Sequence, residues 1–364
     1  MTNNKDKKVL NVPNLRFPEF TDEWGSITIK EACSEFQSGK NIKAEMITGQ
    51  GLYPVYGGNG LRGFTESYNH DGDYILIGRQ GALCGNIRKV TGKTYVTEHA
   101  IAVCASKENE TTFLQYLFQK MKLGQYSDQS AQPGLAVNKL LRLNINVPSK
   151  IEQAKIAKIL SLIDERIITQ NKIIEDLKKL KSAIYQELFP NQQGEEYSLS
   201  ELVEIIKGQQ INGNELSENG KYYVMNGGIM PSGYYDDYNT EAGTISISEG
   251  GNSCGYVQYN SSKFWSGGHC YTLHIKPAAP ISTLFLFHFL KWKETDIMTL
   301  RIGSGLPNIQ KKDLSKVSII VPTLDKQQRI MTLLSTFQMK IEHEDMYAIN
   351  LNKQKQYLLS QMFI

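Results

Sequence analysis

The chain repeats itself at a fixed offset, and that repeat constrains its fold more than any other feature. Gly57-Gly58 recurs as Gly227-Gly228 and Gly63-Phe64 as Gly233-Tyr234, 170 residues on. "ILIGRQGALCGNI" from Ile75 aligns without a gap to "ISISEGGNSCGYV" from Ile245, matching Gly81 with Gly251, Cys84 with Cys254 and Gly85 with Gly255. His99 meets His269 at the same offset. From Ser130 the offset becomes 174, which sets Pro133 on Pro307 and Pro148 on Pro322. Self-similarity of this kind describes one structural unit built twice. It also disposes of a tempting motif. Gly58, Gly60 and Gly63 have the G-x-G-x-x-G spacing of a dinucleotide loop, but no amphipathic helix follows, and the second copy replaces Gly60 with Met230 and inserts Pro231. A glycine-rich hairpin fits better.

Each copy has two parts. Residues 15–148 and 195–322 are rich in glycine, short apolar runs and turn signals, with a helix expected around 112–123, and read as small α+β heads. Residues 1–14 read as a flexible tail. After Pro148 and Pro322 come Gly-free helical segments, 149–190 and 323–364. The first carries a stripe of Ile156, Leu160, Ile163, Ile167, Gln170, Ile174, Leu177, Lys181, Ile184 and Leu188. The second carries Ile330, Leu334, Phe337, Ile341, Glu344, Ala348, Leu351, Lys355, Leu358 and Met362. A sustained alternation of four and three is the 3.5-residue repeat of a coiled coil, with polar pairs at matched positions in the seam. A 41-residue helix spans roughly 60 Å, several times the ~14 Å radius of gyration of such a head, so the second helix meets the first along its length only by running back. The expected fold is α+β: two repeated recognition heads separated by an antiparallel coiled coil of two long helices. Twofold-related readers bind DNA half-sites about one ~34 Å turn, or a multiple of it, apart, and the rod is a ruler of that order.

Composition narrows the class. With 40% hydrophobic residues the chain is rich enough in apolar side chains for real cores. Its five cysteines form no C-x-x-C pair and no even framework, which points to a reducing cytoplasm and away from disulfides or a zinc knuckle. No apolar stretch reaches the length of a membrane span, and "MTNNKDKKVL" lacks the core of a signal peptide. Catalytic patterns are missing too. There is no Asn-Pro-Pro or Asp-Pro-Pro of an adenine methyltransferase and no Glu-x-Lys of a carboxylate nuclease, and Gly92-Lys93-Thr94 lacks the first glycine of a phosphate loop because position 87 is Ile87. Neither His99 nor His269 sits beside a clear nucleophile, so each reads as a structural residue opening an apolar strand, and Cys84 and Cys254 read as small, buried turn residues. No catalytic residue, metal ligand or cofactor is expected.

"LRFPEF" with Trp24, the "GRQGALCGN" loop, the helix openings "NVPSKIEQAKIAKIL" and "IVPTLDKQQRIMTLL", and the order head, helix, head, helix together resemble the specificity subunits of type I restriction-modification systems. The resemblance covers nearly the whole chain. It implies a non-catalytic subunit in which each head reads half of a split double-stranded DNA site. It also implies that the helices hold two methyltransferase subunits and, through them, the restriction and translocase subunits. Base readers are then expected among polar loop residues that differ between the heads. In head one these are Asn59, Arg62, Arg79, Gln80 and Asn86, and in head two Glu249, Asn252, Gln258, Arg301 and Ser304. Charge argues for help from partners: head one has 14 Lys or Arg against 13 Asp or Glu, and head two 10 against 13, without the basic footprint of a freestanding DNA binder. Two further readings stay open on the residues alone, a two-headed adaptor that binds proteins and an unrecognised nucleotide-binding enzyme.

Overall fold

A computed structural model of the chain describes residues 10–81, 83–128, 134–303 and 305–364. It divides into two compact units, Met1–Asn171 with Met346–Ile364, and Lys172–Asp345, so each unit holds one head and a half of each long helix.

In the first unit a four-stranded antiparallel sheet has the order Cys33–Ser38, Ala100–Ala105, Asp73–Gly78, Ile87–Thr91. Ala100–Ala105, "AIAVCA", is a nearly continuous apolar run, as a strand covered on both faces requires, and its first four residues are buried. The helix Thr111–Met121 lays Phe113, Leu114, Leu117 and Phe118 into the same core. It stops just short of the expected Leu123 because Lys122 adopts the left-handed conformation (φ 49°), after which a tighter turn runs from Leu123 to Tyr126. A three-stranded sheet, Gly60–Thr65, Tyr53–Gly57, Tyr95–Val96, and a two-stranded ribbon, Gly25–Thr28 with Asn144–Val147, complete the head. Residues 1–9 lie outside the described residues; Asn11 is tied to Trp24 by reciprocal bonds of 2.7 and 2.8 Å.

The second unit repeats this topology with Val203–Lys207, Cys270–Ile275, Thr244–Ser248 and Val257–Asn260 in its main sheet. Strand registers reproduce both sequence offsets. Ile77 faces Ile101 as Ile247 faces Tyr271, and Ile27 faces Ile145 as Tyr197 faces Ile319. The four extra residues of the second copy enter in two steps. Glu110 N–H donates to Gln153 Oε1 at 2.9 Å and Ser282 N–H to Gln327 Oε1 at 2.9 Å, so the offset is already 172 at the head helix and reaches 174 only after it. Those two glutamines, each 1% exposed, also donate from Nε2 to the carbonyls of Pro148 and Pro322 at 2.9 Å, which clasps each long helix to its own head.

The long helices are Lys150–Leu188 and Leu324–Gln361. Within the second unit Lys178 lies 3.7 Å from Asp345 and Lys181 donates to Gln338 at 2.7 Å, so one number rises as the other falls: the pair is antiparallel. Within the first unit Lys355 meets Asp164 at 2.6 Å. Of the apolar seam positions, Ile156, Leu160, Ile174, Ile330, Leu334, Ile341, Leu351 and Met362 are buried, and Ile163, Ile167, Leu177, Ile184, Leu188, Phe337 and Leu358 half-buried. Toward the heads the stripe widens. Ile156, Ala157 and Leu160 join Leu359, Met362 and Phe363 in the core of head one, while Tyr185 and Phe189 join Ile330 and Leu334 in that of head two. Phe363 contacts Trp24 and Phe113; Phe189 contacts Phe285, Phe289 and Trp292.

Candidate nucleic-acid interface

In each head three loops converge at one end of the main sheet and enclose a pocket. In head one the strands Tyr53–Gly57 and Gly60–Thr65 are joined by Gly58 and Asn59, the residues after Gly78 turn at Gly81, and His99 precedes the central strand. The loops are tied by backbone bonds, Arg79 N–H to His99 O at 2.9 Å and Leu135 N–H to Arg79 O at 2.9 Å. Gly58 is obligatory, since a Cβ there would stand 2.7 Å from the His99 carbonyl oxygen. Gly60 takes φ 105°, a turn conformation. The glycine spacing therefore serves an antiparallel hairpin, and no helix follows it as a phosphate loop needs.

The resulting pocket, about 390 Å³, is lined by Gly57, Gly58, Asn59, Arg62, Gln80, Gly81 and His99. Three of the expected readers, Asn59, Arg62 and Gln80, are thus brought together. Arg79 adjoins them, its Nε 3.4 Å from the Leu135 carbonyl. Asn86 is exposed and outside this pocket; it lines a small cavity with Gly57, Gly58 and Gly60, and a groove with Lys120, Lys122 and Lys355.

Head two forms the matched pocket, about 650 Å³, from Gly227, Gly228, Glu249, Gly250, Gly251, Asn252 and His269, with Lys207, Asn226 and Asn308 added. Glu249 and Asn252 are the expected readers found here. Gln258 sits outside the pocket, half-buried in its strand beside Asn260, and Arg301 is exposed outside it as well. Ser304 lies outside the described residues.

Four glycine and histidine positions line both pockets at the 170-residue offset, Gly57, Gly58, Gly81 and His99 in head one and Gly227, Gly228, Gly251 and His269 in head two, while the side chains around them change. Arg79 corresponds to Glu249, and Gln80 to Gly250. The histidines are more exposed than their place before an apolar strand suggests, with side chains 46% and 61% accessible at the pocket mouths. His99 Nδ1 lies 2.9 Å from Gln80 Oε1, and His269 Nδ1 3.6 Å from Glu249 Oε2. Below the loops the matched cysteines brace the turns, Cys84 Sγ donating to Arg79 O at 3.3 Å and Cys254 Sγ to Glu249 O at 2.9 Å. Burial pushes both thiols up, which suits props and not nucleophiles. Lys207 carries no local motif, and only the fold brings it to the site, while Asn226 and Asn308 adjoin the Gly227-Gly228 and Pro307 turns. Among the described residues no group of three His, Cys, Asp or Glu side chains converges as a metal site would need, and no helix is long and apolar enough to cross a membrane.

Comparison with known proteins agrees with this duplicated architecture. The family described as "Type I restriction modification DNA specificity domain" matches at residues 21–179 and again at 191–351. The specificity subunit of the Escherichia coli type I restriction enzyme EcoprrI is 40% identical over 173 residues, which are 46% of this chain and 42% of that protein, so the match spans less than half the relative's length. A putative type I specificity subunit of Mycoplasma pneumoniae is 26% identical over 327 residues, 84% of this chain and 87% of that one. The crystal structure of a type I restriction-modification S subunit from M. genitalium has the same fold, with a TM-score of 0.71 at 21% identity over 97% of this chain and 99% of that chain. The chain belongs to the family of type I restriction modification DNA specificity domains, and carries that domain twice.

Proposed function

We propose that the chain is the non-catalytic specificity subunit of a type I restriction-modification complex, each head reading one half of a bipartite site in double-stranded DNA. The observation that carries this reading is the pair of matched pockets: one backbone scaffold, repeated, presenting Asn59, Arg62 and Gln80 in one head and Lys207, Glu249 and Asn252 in the other. A scaffold conserved between copies with exchanged polar side chains is what two different half-sites require, because base edges are told apart by donor and acceptor pattern.

Two methyltransferase subunits would dock on the long helices, with restriction subunits joining through them. The helices present large apolar side chains to solvent: Ile151, Leu162 and Ile168 in the first unit, and Leu324, Leu333 and Met339 in the second, are 41–76% exposed. In this reading a docked partner would cover these side chains. The nearly neutral heads fit the same scheme, since partners that grip phosphate would supply the salt-dependent share of the affinity.

The test is methylation mapping of genomic DNA in strains with and without this gene, followed by replacement of residues 15–148 with the corresponding head of a related protein. A bipartite motif should vanish with the gene, and the head exchange should alter one half of it only. Methylation indifferent to the gene, or a change in both halves, would count against the proposal.

A further inference from the structure

Glu249 is an anomaly on a surface meant to face phosphates. A carboxylate there repels the duplex unless its charge is offset and its oxygens serve a purpose. Its side chain is only 12% exposed, at the end of the strand Thr244–Ser248. Oε1 accepts from Lys207 Nζ at 2.6 Å and from the Tyr271 hydroxyl at 3.2 Å, so the charge is compensated and the carboxylate plane is fixed from one side. Oε2 is different. Among the described residues none donates a hydrogen bond to it, and His269 Nδ1 stays 3.6 Å away. Glu249 lines the 650 Å³ pocket together with the amides Asn226, Asn252 and Asn308.

An oriented oxygen that only accepts discriminates sharply in the major groove. Guanine offers it two acceptors and thymine one acceptor beside a methyl group, all repelled. Adenine offers one amino donor next to the acceptor N7. Cytosine offers its N4 amino group with no adjacent acceptor, and carboxylates pair with it for that reason. Resting on the specificity-subunit reading, we infer that Glu249 reads the amino group of a cytosine in the half-site of head two. The matched residue of head one, Arg79, carries only donors and has the opposite preference.

The experiment places Glu249→Gln, Glu249→Ala and Glu249→Asp in the full chain, each co-expressed with its methyltransferase partner, and maps methylated sites in the host genome. The wild type should hold a cytosine fixed in the half assigned to head two by head exchange. Glu249→Gln, whose amide suits adenine, should shift the preference at that one base pair by ~10- to 100-fold and leave every other position as it was. Glu249→Ala should relax it, and Glu249→Asp, which keeps the acceptor, should retain cytosine at lower efficiency. Unchanged base frequencies in the Gln and Ala variants overturn the inference. So does loss of methylation in all three, which would make Glu249 a prop for Lys207 and Tyr271. A wild-type complex that methylates no bipartite motif sinks the specificity-subunit reading itself, a distinguishable result.

Discussion

Acid is expected to loosen the second unit through one histidine. His288 lies in the helix Thr283–Trp292, is 3% exposed, and has Nδ1 2.9 Å from the Tyr185 hydroxyl. Burial, and then the positive charge of Lys181, push its pKa down to about 4 from the ordinary 6.5. The folded protein therefore keeps His288 neutral where the unfolded chain has already bound a proton. Stability from this group is fully present above pH 6.5 and is lost as pH falls toward 4, by about 3 kcal/mol in all at 1.36 kcal/mol per pKa unit. The assay is urea unfolding followed by tryptophan fluorescence, with Trp265 and Trp292 reporting from this unit. The wild type is compared with His288→Gln, which keeps hydrogen-bonding capacity without titrating. Carboxylates protonate in both proteins and cancel. The difference in unfolding free energy should then move by ~3 kcal/mol between pH 7.5 and 4, in favour of the variant at low pH. A difference that stays constant across that range would refute the reasoning.

Three further outcomes are expected. Gln153→Ala strips partners from the half-buried Glu110 N–H and the Pro148 carbonyl and should cost about 1–3 kcal/mol in chemical denaturation; a loss below about 0.5 kcal/mol would mean water replaces the clasp. Asp164→Ala, which removes the acceptor shared by the Tyr116 hydroxyl (2.8 Å) and Lys355 (2.6 Å), should cost about 1 kcal/mol after discounting for partial exposure, read as a lower melting temperature. One heptad added to each long helix, beside Gln170 in the first and at a register-compatible point in the second, lengthens each by ~10 Å, close to three base pairs. The methylated half-sites should keep their bases while the unread gap grows; an unchanged gap in an active variant would remove the helices from any role in spacing.

What the sequence disclosed and what it withheld divide along a physical line. The repeat offsets, the heptad stripe and the hairpin reading of Gly58–Gly63 depend on local periodicity and on spacing, which a string of residues preserves. The site depends on which loops meet, and a string does not record that. Asn59, Arg62, Gln80, Glu249 and Asn252 were legible because they flank glycine turns after apolar strands. Lys207 was not, because it comes from the distant strand Val203–Lys207, whereas Asn226 beside Gly227-Gly228 and Asn308 beside Pro307 carry the same turn signal. Gln258 is offered by the sequence as a polar loop reader, yet it lies inside a strand, opposite Ser246. The buried glutamines Gln153 and Gln327 sit among exposed charges in helix openings, and nothing in their neighbours announces that the preceding proline carbonyl and a head amide will close around them.

The cores of the heads depend on residues made at very different times. Head one has its sheet complete at Val147, but Leu359, Met362 and Phe363 belong to its core. Those residues leave the ribosome some 200 positions later, on the order of 10–40 s at ~5–20 residues per second. Head two receives Tyr185 and Phe189 before its own first strand and Ile330 and Leu334 soon after its last. Synthesis order and folding order are therefore expected to cross. The half made second closes first, and the half made first waits with Trp24 and Phe113 lacking their aromatic lid, which makes it the side on which a nascent chain is open to chaperones or to capture by a neighbour.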